Sequence, residues 1–520
     1  MSRPILPLSL GVQLGTLVAC ALLFWCFRRW LDRKARNPRG LPLPPGPKGL
    51  PIVGNLFQLP QKDPWLEYDR MNREYGDLVY LEAVGQPILI LGSLEKANEI
   101  LERKSSKYSD RPVLPALQMI DVAWSFSLFQ YGPELRHYRK TFHQYFNANV
   151  ISRYQPILDE EVTAFLRKLH KSPELFLDHT RDLLGYAIMR IAYGFDDPEV
   201  NRGLLHDGET MLKAFVEVSL PGRYLVNDIP ILRHVPAWFP GAGFKARFAE
   251  LAQVSRRMHV DSFERVKTNL ENGRRSAHPS MAADLVDKMP NEGNPARSKY
   301  NEVAQDVCAV AYAAGADTMI STLFALFLAL AMHPEVQEKA QKELDSVIGS
   351  GRLPTLNDQK SLPYISAIVK EISRWHTVAP IGLPHVTAED DEYNGYFIPK
   401  GTYVMANSWA ILHDPNVYDA PEKFNPDRFM KDGALDPTVR DPGVAVFGYG
   451  RRVCPGRWLS DSTLFLVTAC FLSVYNVYPP KDDSGNSIPL KIEVAPALVS
   501  TPLPFKCNIR LRSSQHAHLF

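Results

Sequence analysis

One cysteine, Cys454, stands in Phe447-Gly448-Tyr449-Gly450-Arg451-Arg452-Val453-Cys454-Pro455-Gly456, and this stretch limits the fold more than any other part of the 520 residues. A sulfur offered alone to a metal has to be kept dry, compensated in charge and approached by backbone amides. The residue types meet each need. Phe447 can cover the sulfur, Gly448 and Gly450 permit turns with positive φ, and Arg452 supplies a permanent cation. Pro455 removes a competing donor, and Gly456 lets the backbone pass close to the thiol. An apolar run from Trp458 onward predicts a helix whose N-terminus favours negative charge on that sulfur. The loop reads as a site for a thiolate-bound haem iron. The alternative is an inert thiol in a Gly-rich turn, which is the reading given to Cys20, Cys26, Cys308, Cys470 and Cys507.

Lysine and arginine (59) nearly balance aspartate and glutamate (57), and a net charge of +2 argues against a chain built around nucleic acid. The six cysteines lack paired spacing, so neither a disulfide framework nor a zinc site is indicated. Residues 5–27 carry no charge and are long enough, at about 1.5 Å per residue, to cross a hydrocarbon core of roughly 30 Å. Arg28, Arg29, Arg33, Lys34 and Arg36 follow, against a lone Arg3 before, which places the bulk of the chain in the cytosol. A cleaved signal peptide is the rival reading, opposed by the length of the apolar run and the lack of a small-residue cleavage site. The segment 41–55 is dense in proline and reads as a stiff connector or as a ligand for a proline-binding module. The expected division is an anchor over 1–36, a proline-rich hinge over 37–55 and one large domain over 56–520.

Within that domain, β-like runs at 78–81 and 88–91 predict a hairpin. Residues 134–347 are predominantly helical in pattern, with a long helix over 303–332 that stops before Pro334, and a further helix covers 364–376. Hairpin turns are expected at 394–402 and strands and loops after the helix that follows Cys454. The fold class is mainly α with small β-sheets.

Taken in order, these features resemble the cytochrome P450 family. The cysteine loop matches its signature Phe-x-x-Gly-x-Arg-x-Cys-x-Gly, Ala313-Ala314-Gly315-Ala316-Asp317-Thr318 matches its oxygen-binding motif, and Glu371-Ile372-Ser373-Arg374 matches its Glu-x-x-Arg. On residues alone, the small-residue stretch 313–318 reads equally as close helix packing, with the Thr318 hydroxyl bonded back to Ala314. The resemblance implies the P450 fold behind one transmembrane helix. It makes Cys454 the iron ligand of haem b, and Phe447, Gly448 and Gly456 part of the haem loop. Arg452, Arg139 and His385 become propionate partners. Leu135 replaces the tryptophan that usually precedes Arg139 by four residues. Thr318 would steady bound dioxygen and orient a water, while Asp317 passes protons inward. Glu371, Arg374 and Arg428 would form a structural cluster.

The activity implied is a monooxygenase that inserts one atom of O2 into a lipophilic organic substrate by hydroxylation or epoxidation. Electrons would come from NADPH-cytochrome P450 reductase, with cytochrome b5 as a second donor. The basic residues Arg136, Arg139, Lys140, Arg451 and Arg457 read either as the face for such a partner or as a solvated surface. The implied location is the endoplasmic reticulum membrane, single-pass and in contact with membrane lipid, the catalytic domain facing the cytosol. Segments 113–129, 309–320, 378–383 and 498–502 are expected to line an apolar pocket. Phrasing around Trp375 is similar to fungal secondary-metabolism members; xenobiotic oxidation is the other use. A reductase-independent haem-thiolate isomerase or dehydratase, and a haem-binding sensor, are the competing functions.

Overall fold

The computed structural model describes residues 16, 28, 31–220, 222–495 and 498–520. The apolar segment 5–27 lies outside them, except for residue 16.

Helix α1 (Pro64–Tyr75) starts on a proline, whose fixed φ suits a first helical turn, and buries Trp65, Tyr68 and Met71. The predicted hairpin follows as β1 (Leu78–Ala83) and β2 (Gln86–Leu91), joined where Val84 and Gly85 take positive φ. Four amphipathic helices come next: α2 (Pro133–His143), α3 (Gln155–Lys171), α4 (Phe176–Tyr193) and α5 (Pro198–Ser219). Helices α2, α4 and α5 pack on α6 (Arg297–Met332), α4 most extensively, and α3 packs on α4; α6 begins six residues earlier than its sequence pattern indicates and stops, as expected, before Pro334. This helix is long and apolar enough to cross a membrane, yet it is buried on nearly all sides by protein and serves as the core of the helical body.

Helix α7 (Pro334–Val347) and helix α8 (Pro363–Trp375) lead into short strands β3 (His385–Val386), β4 (Asp391–Tyr393), β5 (Tyr396–Ile398) and β6 (Tyr403–Ala406). The main sheet has the order β1-β2-β6-β3, with β6 parallel to β2, so a return over three hundred residues away completes the N-terminal hairpin. Strands β4 and β5 form the expected hairpin around Asn394 and Gly395. After the cysteine loop comes α9 (Arg457–Val474), then β7 (Tyr475–Tyr478) paired with β8 (Asn508–Leu511).

The proline-rich connector does not hang free. Tyr80 N–H donates to Pro45 O at 2.7 Å and Phe397 N–H to Pro42 O at 2.8 Å. At Gly46 an added Cβ would fall 2.0 Å from Tyr80 O, so only glycine fits there. Arg36 pairs with Asp390, and Arg39 with Glu392 at 2.5 Å.

Behind the cysteine loop, Glu371 takes two hydrogen bonds from Arg374 at 2.7 and 2.9 Å and two from Arg428 at 3.1 Å, Glu371 and Arg374 being sealed from solvent and Arg428 nearly so. Asn425 N–H adds a fifth hydrogen bond at 2.8 Å, and further guanidinium N–H groups go to Leu412, Lys423 and Asp419 carbonyls. One carboxylate thus ties α8 to the 412–428 segment. Glu371→Gln leaves two buried cations without a counter-charge and is expected to lower unfolding free energy by about 3–5 kcal/mol, read from urea denaturation.

Candidate active site

The cysteine loop is folded as its residue types require. Cys454 N–H donates to Phe447 O at 2.7 Å, closing the loop on itself. Gly448 and Gly450 both take positive φ, at 75° and 55°. At Gly450 the demand is steric as well, because a Cβ would meet Leu101 O at 2.1 Å, and its N–H is held by Glu102 at 2.9 Å. Gly456 ends the loop and caps α9, and its N–H points at the Cys454 sulfur. Burial pushes the thiol up from its ordinary pKa, while that N–H and the cations of Arg139 and Arg457 pull the other way.

Three arginines converge beside this loop. Arg452 donates from Nε to Ser109 O at 2.7 Å and from Nη2 to Phe129 O. Arg139 reaches from α2 to Val453 O at 2.7 Å, so leucine at 135, which is buried in the core, has not displaced it. The third is Arg111, which belongs to no motif and was not singled out from sequence. It donates to Leu383 and Pro384 carbonyls, both at 2.7 Å, and to Ser127 O at 3.2 Å. Among the described residues none of the three has an ion-pair partner. Asp110 acts on Arg452 only at a distance, its carboxylate accepting the Tyr131 N–H. Burial and mutual repulsion lower Arg111 to about 9 and Arg452 to about 10. His385 belongs to the same cluster. Its Nδ1 donates to Tyr108 O at 2.6 Å, and burial beside Arg111 and Arg452 keeps the ring neutral. Nε2 can donate only once an anion arrives to raise that pKa.

On α6, residues 303–312 and 319–331 are buried throughout, yet Ala314 and Thr318 are exposed in the middle. Thr318 Oγ1 donates back to Ala314 O at 3.2 Å, and Gly315 faces the other way, where a Cβ would stand 3.0 Å from Ile188 of α4. Close packing and an open polar face therefore coexist on consecutive residues. Asp317 points towards α4 and α5. Burial raises it to about 6, helped by Glu209 and opposed by Arg181 and Lys213.

The match to the family model for cytochrome P450 runs over residues 44–509. Cytochrome P450 monooxygenase COX1 of Coprinopsis cinerea is 49% identical over 94% of this chain and 95% of the relative. The chain is a cytochrome P450. Further relatives include cytochrome P450 monooxygenase COX2 of the same fungus, 40% identical over 92% of this chain and 91% of the relative. Cytochrome P450 monooxygenase 98 of Postia placenta is 38% identical over 97% of this chain and 95% of the relative. This P450 is a monooxygenase, and its cofactor is haem b.

The residues present fit that group. Haem carries two carboxylates and an iron, and this P450 offers two buried guanidiniums, Arg111 and Arg452, and a half-buried third, Arg139, lacking ion-pair partners among the described residues, next to one half-buried thiol. Nearby, Arg136 and Arg451 share Tyr131 at the surface, and Lys140 is exposed beside them.

Two outcomes are expected. Arg111→Leu should speed haem loss by about tenfold, measured by transfer to apomyoglobin, with Arg111→Lys recovering part of the retention. For Asp317 the folded pKa is raised, so the folded state holds a proton that the unfolded chain has already released. Stability relative to Asp317→Asn should then be greatest below the ordinary value of 3.8 and decline, by up to about 3 kcal/mol, as pH rises through about 6.

Proposed function

We propose that this P450 inserts one oxygen atom of O2 into a lipophilic organic molecule, by hydroxylation or epoxidation, in fungal secondary metabolism. The observation that carries this reading is the pairing of an exposed hydroxyl, Thr318, with an acid titrating near 6, Asp317, in an open turn midway along a buried helix. A group that titrates there exchanges protons readily at neutral pH. A reductase-independent isomerase or dehydratase would have no use for it.

Bound haem supplies the chemistry of dioxygen reduction and oxygen transfer. The chain holds and steers it. Cys454 is the iron's protein ligand, its sulfur favoured as thiolate by the Gly456 N–H, by Arg139 and Arg457 and by the N-terminus of α9. Arg452, Arg139, Arg111 and His385 hold the propionates, while Phe447, Gly448 and Gly456 shape the loop beneath. Asp317 takes a proton from the side of Glu209, Arg181 and Lys213, and the Thr318 hydroxyl, loosely held by Ala314 O, receives it on the open face.

Electrons are assigned to NADPH through NADPH-cytochrome P450 reductase, with cytochrome b5 as an accessory donor. Supporting this is the exposed basic group Arg136, Lys140 and Arg451 close to the cysteine loop, suited to an acidic flavoprotein. The endoplasmic reticulum membrane is the proposed location, with residues 5–27 as the single span, 37–55 as hinge and the catalytic domain on the cytosolic side. Large apolar side chains left in solvent at Leu225 (61%), Ile231 (72%) and Trp238 (81%) support contact with lipid. They also suit the approach of a lipophilic substrate.

The test is the reduced carbon monoxide difference spectrum of the full chain. Wild type should give a Soret band at about 450 nm that Cys454→Ala abolishes. A band at about 420 nm alone, in folded wild-type protein, overturns the thiolate assignment.

A further inference from the structure

His376 is buried just past the C-terminus of α8, and the haem chemistry makes no use of it. Its Nε2 lies 2.9 Å from Ser321 Oγ, which lies 2.6 Å from the backbone oxygen of Ser500. A carbonyl can only accept, so the one hydroxyl proton of Ser321 goes to Ser500. Ser321 must then accept from an Nε2–H on His376, which fixes the tautomer. Burial lowers the imidazole to about 4, so it is neutral in this role at physiological pH. Ser500 N–H completes the arrangement by donating to Val378 O at 2.8 Å.

One hydroxyl therefore joins three segments that lie far apart in sequence: α6, one turn beyond Thr318; the stretch that leaves α8 at His376; and the C-terminal stretch at Ser500. The joint itself is sealed, Ser321, His376 and Ser500 all being buried. Its flanks are not. Thr318 is exposed, and Val378, Ala379, Ile381, Leu498 and Val499 are only half-buried. A sealed polar joint with open apolar flanks is what holds a cavity wall in place without taking part in the cavity. Removing the hydroxyl would take away this tie to α6: His376 and the Ser500 backbone oxygen, which also interact directly, would be left to pair with each other, and the two stretches would be free to shift together relative to α6.

We infer that Ser321 and His376 are positioning residues: through Ser500 and Val378 they set the distance between the substrate-facing walls at 378–383 and 498–502 and the oxygen side at Thr318, and so decide which bulky ligands fit. This rests on the monooxygenase reading above and names a specificity determinant within it.

The experiment uses the ferric holoenzyme and two probes, imidazole and 4-phenylimidazole, titrated by the Soret shift. Imidazole is small enough to report the iron and its immediate surroundings, whereas the phenyl ring must reach the walls. Ser321→Ala and His376→Leu should each change the Kd of 4-phenylimidazole by about fivefold or more while leaving that of imidazole within about twofold. His376→Gln, whose side-chain amide can donate where Nε2–H does, should keep the wild-type ratio. Should Ser321→Ala not retain haem, Ser321→Cys, of similar volume and weaker donor strength, supplies the same contrast. Unchanged values for both probes, or equal changes in both, overturn the inference, since a general loss of packing would not discriminate by size. Failure of wild type to shift its Soret band with imidazole would instead overturn the haem-site reading itself, and this inference with it.

Discussion

Three guanidinium groups gathered around one loop, two buried and one half-buried, with no carboxylate in ion-pair contact among the described residues, are the constraint on which the site turns. Burying a cation costs several kcal/mol unless it is compensated, and like charges that close repel further. The fold tolerates Arg111, Arg139 and Arg452 by giving their N–H groups to carbonyls of Ser109, Ser127, Phe129, Leu383, Pro384 and Val453. Those carbonyls come from segments otherwise separated in the chain, so the arginines act as fasteners as well as an anion trap. In the proposed assignment, the two haem propionates would complete the charge balance that the polypeptide leaves open. Protein order around the cysteine loop and cofactor retention are in this way the same equilibrium.

The cluster at Glu371 is built on the opposite plan. Two arginines share one carboxylate and their other nitrogens bond backbone carbonyls, so the charge is met within the chain. Both clusters are rich in buried arginine, and burial alone does not separate them. The presence or absence of an internal anion does.

Much of this was readable from local pattern. Cys454 with Gly448 and Gly450, the hairpin at Leu78–Ala83 and Gln86–Leu91, and the termination of the long helix before Pro334 each depend on residues close together in sequence. Glu371 and Arg374 sit three apart on one helix face, and their spacing announces the pair. Arg111 was invisible because its meaning lies in Arg139 and Arg452, residues it meets only after folding, and because Asp110-Arg111-Pro112 has no periodicity of its own. The Ser321, His376 and Ser500 contact is hidden for the same reason: a serine in an apolar helix and a serine in a C-terminal loop say nothing until a backbone carbonyl stands between them. Gly315 was legible only as an ambiguity. Packing against Ile188 and an open face at Ala314 and Thr318 are both present, one residue apart, because a helix turns by about 100° per residue.

The docked connector has a mechanical meaning. Pro42 and Pro45 are hydrogen-bonded to Phe397 and Tyr80, and Gly46 is wedged against the Tyr80 carbonyl. Tension applied ahead of residue 37 therefore enters the β-lobe at strands β1 and β5, not the helical body that carries Thr318 and Asp317. The connector works as a short lever rather than a leash, and the catalytic helices are insulated from whatever holds the N-terminus.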